Sequence, residues 1–146
     1  MENITSFARR RKGEKARKEG SWIDERIEKM ENVNCFENLE IWKEAMKLSV
    51  EIYEVMKNCK DFEFKDQTQR AAVSVPSNIA EGFERQTNKE FVYFLYIAKG
   101  SCDEVRTQLY LAKALKYIEN EKTNELIERA KTLSRKIQNF IKTKRT

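Results

Sequence analysis

From residue 36 onward, apolar side chains recur at steps of three and four with little to interrupt them. Leu39, Trp42, Met46, Ser49, Tyr53 and Met56 form one such stripe, widened by Val50 and Ile52, and predict a helix over 36–58. Ile127, Ala130, Leu133, Ile137 and Phe140 form another and predict a helix over 124–141. Between them, a second helix is expected over 66–83, with Phe62 and Phe64 in the preceding loop as plugs over the bundle end. Thr87 and Glu90 have the spacing of a capping box and start a third helix that nothing breaks until about residue 117. Residues 120–123 are expected to turn the chain into the fourth helix. The whole sequence holds four glycines and one proline, too few for a turn-rich β fold. Short connections make neighbouring helices antiparallel. The expected fold is therefore all-α: an antiparallel up-down-up-down four-helix bundle over 35–146. Residues 1–34 form a basic N-terminal extension, in which Ser21 can cap a short helix carrying Trp22, Ile23, Ile27 and Met30.

The chain contains no histidine, which removes Ser-His-Asp and Cys-His nucleophile activation and the usual zinc sites. No GxGxxG, Walker A or EF-hand pattern occurs. The expectation is a protein without catalytic activity, metal or cofactor. Cys35, Cys59 and Cys102 are odd in number and widely spaced, so reduced, partly buried thiols are expected. No apolar run is long enough to span a bilayer, and no apolar signal core precedes Arg9, so no membrane partner and a cytoplasmic location are expected.

Charge is unevenly distributed. Residues 1–20 carry a net +4, residues 129–146 a net +7, and the body between them a net −6. The candidate phosphate contacts are Arg9, Arg10, Arg11, Lys12, Lys15, Arg17 and Lys18, with Arg135, Lys136, Lys142, Lys144 and Arg145 near the C-terminus. Such clusters bind RNA or DNA with little sequence dependence by releasing counterions. The plainer alternative is that cations simply favour helix C-termini.

Two further stretches stand out. Residues 91–98 are apolar or aromatic on every side of two helical turns, more than one small bundle can turn inward. Phe91, Tyr93, Phe94, Tyr96 and Ile97 are therefore candidates for an oligomer interface, unless the leader covers them. Around Pro76, the residues Ser74, Ser77, Asn78, Glu81 and Gly82 are read as structural: polar groups satisfying backbone loosened by the proline, with Gly82 ending the helix in a left-handed conformation.

Several stretches carry a family resemblance. They are Phe36-Glu37-Asn38-Leu39-Glu40-Ile41-Trp42, then Gln69-Arg70-Ala71-Ala72-Val73-Ser74-Val75-Pro76-Ser77-Asn78-Ile79-Ala80-Glu81-Gly82. Phe94-Leu95-Tyr96-Ile97-Ala98-Lys99-Gly100-Ser101 and Glu104-Val105-Arg106-Thr107-Gln108-Leu109 follow in the same order. With them the chain resembles the four-helix-bundle family encoded by intervening sequences inside bacterial large-subunit ribosomal RNA genes. That family includes the accessory variability protein of diversity-generating retroelements, a homopentamer that binds nucleic acid and a reverse transcriptase. The resemblance implies an antiparallel four-helix bundle, a pentamer and a nonenzymatic role in binding RNA or DNA. A second reading, favoured by the acidic body, is an oligomeric scaffold that recruits a partner enzyme such as a reverse transcriptase.

Overall fold

The structure is a computed structural model and describes residues 35–145. The Ser21 helix and the cations Arg9, Arg10, Arg11, Lys12, Lys15, Arg17 and Lys18 lie outside the described residues. A 3-10 turn, Phe36–Asn38, leads into α1 (Glu40–Met56), followed by α2 (Phe62–Phe83), α3 (Asn88–Ala114) and α4 (Asn120–Lys144). Each helix packs on the next, and α4 returns to α1, so the chain forms the expected antiparallel four-helix bundle with no strand among the described residues.

The core face of α1 differs from the expected stripe. Ile41, Ala45, Leu48 and Ile52 point inward, joined by Ser49 and Met56. Trp42 and Met46 are half-buried, while Val50 and Tyr53 are exposed. Two apolar rows of the same period run side by side on this helix, about 100° apart. The aliphatic row with the small Ala45 fills the narrow space between helices. The ring-bearing row stays at the edge, where indole N–H and phenol O–H keep access to water.

α2 starts earlier than expected because Asp61 caps it, its carboxylate accepting from Phe64 N at 3.2 Å. The two expected plugs therefore part company. Phe62 is 72% exposed on the first turn. Phe64 turns back over the bundle end and meets Tyr117 edge-on, with ring centroids 5.5 Å apart. The Tyr117 hydroxyl in turn donates to Asp61 Oδ2 at 2.8 Å, holding its own pKa above the ordinary tyrosine value.

Gly82 does not end α2. No glycine among the described residues has a positive φ, and the helix continues through Phe83. Its role is close approach. A Cβ at Gly82 would lie 2.7 Å from Phe94 Cβ and 2.9 Å from Phe91 Cδ2, both on α3.

The capping box at Thr87 forms as expected, with Glu90 N donating to Thr87 Oγ1 at 3.2 Å and Thr87 N to Glu90 Oε2 at 3.3 Å. The turn after α3 falls at residues 115–119 instead of 120–123, which belong to the first turn of α4. Tyr117 N bonds Ala112 O at 2.9 Å and Lys116 N bonds Lys113 O at 3.1 Å, the paired bonds of a Schellman motif. Its left-handed position is taken by Lys116, at φ 60°, where glycine is usual. On α4 the expected stripe is inward, with Leu126 and Ile141 added and Phe140 partly buried.

Two substitutions test this packing in opposite directions. Gly82→Ala forces α2 and α3 apart and should lower unfolding stability by about 1–3 kcal/mol. Lys116→Gly relieves the left-handed strain and should raise it by about 1 kcal/mol. Urea unfolding of both variants decides. A neutral Gly82→Ala variant would contradict the close approach.

Candidate functional site

The polar motif of α2 is built into the core scaffold. Pro76 has no N–H, so the carbonyl of Ala72, four residues earlier, lacks its helical donor. The Ser49 hydroxyl of α1 takes its place at 2.9 Å, and it also lies 2.8 Å from its own helix's Ala45 carbonyl. Asn78 Nδ2 donates to Ser74 O at 2.8 Å and to Ser74 Oγ at 3.0 Å. Ser74 Oγ meets Ser101 Oγ of α3 at 2.8 Å. Glu81 stands outside this network, on the surface, and pairs with Arg85. Ser77 is exposed. Buried Ser49 and half-buried Ser74 thus tie α2 to both its neighbours.

Nucleophile and metal chemistry find little to work with. Cys102 donates to Ala130 O at 3.3 Å, and burial pushes its thiol up to about 12. Cys59 is buried too. Among the described residues no group of three or more His, Cys, Asp or Glu side chains could hold a metal ion. Nor is any helix among the described residues long and apolar enough to cross a membrane.

The cations of α4 divide into two groups. Lys136 is engaged within the bundle, its ammonium 2.6 Å from Glu44 and 2.9 Å from Glu40 of α1. Hydrogen bonds to Glu44 and then Glu40 hold its pKa above the ordinary lysine value, and Glu40 is correspondingly lowered. It is therefore unavailable to phosphate without breaking those pairs. Arg135 and Lys142 are exposed. Lys144 lies 5.3 Å from the Phe140 ring centroid, and Arg145 lies 5.6 Å from that of Tyr96, contacts that aim both charges at one bundle end.

That end gathers the last turn of α4, the connection from α2 to α3, and the turn through which the chain enters α1. Lys89, Lys144 and Arg145 converge with Asn88 and Val92 around a shallow cleft of about 430 Å³. Arg85 stands nearby, its guanidinium 4.7 Å over the Phe94 ring. The first turn of α3, with its positive dipole end, opens there as well. Arg85 and Lys89 were not singled out from the sequence, because each sits beside an acid, Glu84 or Glu90. Glu90 is occupied in the capping box and Glu81 with Arg85.

The candidate interface residues also divide. Phe91 is buried inside the protomer, in edge-on contact with Phe83 at 6.0 Å and Phe140 at 5.6 Å. Phe94 is half-buried. Tyr93 is 63% exposed, and Tyr96 and Ile97 are exposed beside it. The outward row on α3 is thus Tyr93, Tyr96 and Ile97. A second apolar surface, from the displaced row of α1, lies between α1 and α2.

Comparison with known proteins adds the following. The family model described as 23S rRNA-intervening sequence protein matches residues 37–139. No curated protein matches. A crystal structure described as a protein with unknown function from the S23 ribosomal protein family, from Bacteroides thetaiotaomicron VPI-5482, superposes with a TM-score of 0.66 at 23% identity. The match covers 70% of this chain and 98% of that one, and shows a shared fold.

Removing the Ser49 hydroxyl tests the structural role of the proline motif. Ser49→Ala leaves the Ala72 carbonyl buried without its donor and should cost about 1–3 kcal/mol. Thermal unfolding of the variant measures this, and an unchanged midpoint would mean that something else satisfies the carbonyl.

Proposed function

Because the chain belongs to the 23S rRNA-intervening sequence protein family, we propose that it is a nonenzymatic accessory protein that binds nucleic acid. The contact surface is the basic end of the bundle. The observation that carries this reading is the convergence of Lys89, Lys144 and Arg145 on one end, beside the start of α3, with Lys142 also in the last turn of α4. Cations from separate elements there present a concave surface, suited to phosphates more than to a flat ion-pair face. Arg135 extends this surface along α4. The leader cations Arg9, Arg10, Arg11 and Lys12 supply further phosphate contacts. Binding is then mainly electrostatic, with little selection among base sequences.

Self-association is part of the proposal. Its support is the outward row Tyr93, Tyr96 and Ile97, whose apolar surface exceeds what the protomer buries. Five copies is the number implied by the family resemblance. A second reading makes the same row a docking face for a partner enzyme such as a reverse transcriptase, with the assembled protein as scaffold.

Nuclease-treated protein should bind short RNA and DNA with a steep dependence on salt. Each neutralised phosphate contributes about 0.9 to the log–log slope for duplex and about 0.7 for single strands. Changing the exposed Lys89, Lys142 and Arg145 to alanine should flatten the slope by roughly two units. An unchanged slope would move the contact away from this end. No binding at all, with assembly intact, would favour the scaffold.

A further inference from the structure

Gly100 stands mid-way along α3, exposed and without a positive φ. A glycine weakens a helix interior relative to alanine, because it has more backbone freedom to lose. A Cβ at this position would meet no neighbouring element within 4 Å among the described residues. Gly82 is required by the packing of α2 on α3, whereas Gly100 is required neither by its backbone nor by the described bundle. Steps of three and four put it on the outward face of α3 with Tyr93, Tyr96 and Ile97. That face is an apolar ridge that ends in bare backbone.

The matching feature is concave. Trp42, Met46 and Val50 of α1 and Val73, Pro76 and Ala80 of α2 line a groove of about 520 Å³. Two contacts between α2 and α3 set its height relative to the ridge. Gly82 lies against Phe91 and Phe94, and Ser74 Oγ lies 2.8 Å from Ser101 Oγ. To within one residue, the ridge from Tyr93 to Gly100 and the α2 wall from Ala80 to Val73 both fall between those levels. Each is about 10 Å long. No residue of α3 lines the groove, so ridge and groove lie on different sides of the bundle at one height.

We propose that the ridge of one copy seats in the groove of the next, with Gly100 as the point of closest approach. This pairing presupposes the self-association proposed above and specifies the two surfaces it uses. A second copy is the occupant because it supplies an apolar ridge of the groove's own length at the groove's own level. The contact is heterologous: a copy that fills its neighbour's groove leaves its own open to another. Copies sharing one height are related by rotation about an axis parallel to the helices, without a shift along it. That is the condition for a closed ring instead of a filament. Gly100, next to Ser101, comes level with the stretch from Val73 to Pro76, where a side chain would hold the two backbones apart. Tyr93 lies toward the Ala80 end.

Cross-linking in the full-length protein tests the pairing. Met46 and Ile97 lie on α1 and α3, diagonal in the bundle, so cysteines there are too far apart to join within one chain. In a Cys35→Ser background, Met46→Cys and Ile97→Cys together should give a ladder of disulfide-linked chains on mild oxidation at micromolar concentration. Either substitution alone should link several-fold more slowly. Gly100→Gln, at an exposed position, should leave circular dichroism unchanged and weaken assembly several-fold in sedimentation. Ile97→Cys linking by itself as fast as the pair would mean that α3 meets α3, and overturns the proposal. Assembled protein that gives no ladder, or assembly indifferent to Gly100→Gln, overturns it too while self-association stands. A full-length protein that stays monomeric at that concentration removes both.

Discussion

A proline inside a buried helix leaves one carbonyl without a donor, and the packing of α1 on α2 answers that deficit. Apolar contact alone is non-directional and would let two antiparallel helices slide or rotate against each other. The Ser49 hydroxyl reaches the Ala72 carbonyl in one register only. A displacement of one turn would leave a buried carbonyl unpaired, at a cost of about 1–3 kcal/mol. Ser74 and Ser101 make the corresponding connection between α2 and α3, and Gly82 lets those two helices come close. α2 is therefore the element against which its two neighbours are indexed. The rest of the core can then be plain aliphatic packing.

The architecture was legible because its main signals are local. Periodicity marked the first and last helices, and the Thr87–Glu90 cap, readable from two residues three apart, marked the start of the third. The errors have physical causes. On α1 two apolar rows share one period, and periodicity cannot say which row faces the core; only the space left by α2 and α4 decides that. The α3–α4 turn was misplaced because Lys116 occupies a position where glycine would have been a signal. Gly82 was read for its backbone freedom when its missing side chain was what mattered. Of the candidate site, the cations of α4 were visible as a charge run. Their sorting into Lys136, held by Glu40 and Glu44, and an outward group at the bundle end required the fold.

The molecule separates its surfaces by chemistry. Aromatic and aliphatic residues left outside the core lie along the sides, on α3 and between α1 and α2, and at the bundle end that holds Phe62, Leu115 and Tyr117. Cations gather at one end, steadied by ring contacts with Phe140, Tyr96 and Phe94. Tyr96 belongs to both regions, because Arg145 lies over its ring. The buried thiol of Cys102, held protonated by its surroundings, adds no reactivity to either.

The seam between α1 and α4 is unlike the other three. Lys136 pairs there with Glu40 and Glu44, and Arg129 and Lys122 pair with Glu51. Partly exposed ion pairs of this kind contribute little net stability, because water and salt compete for each partner. The bundle is therefore closed along its length by its most hydrated contact. Proteins open in cooperative pieces, and the piece with the most solvated boundary opens first. In this chain that piece is α1, hinged on α2, so its amides would exchange with solvent before those of α3. The bundle would open like a book along its charged edge, with Ser49 and Ala72 near the spine.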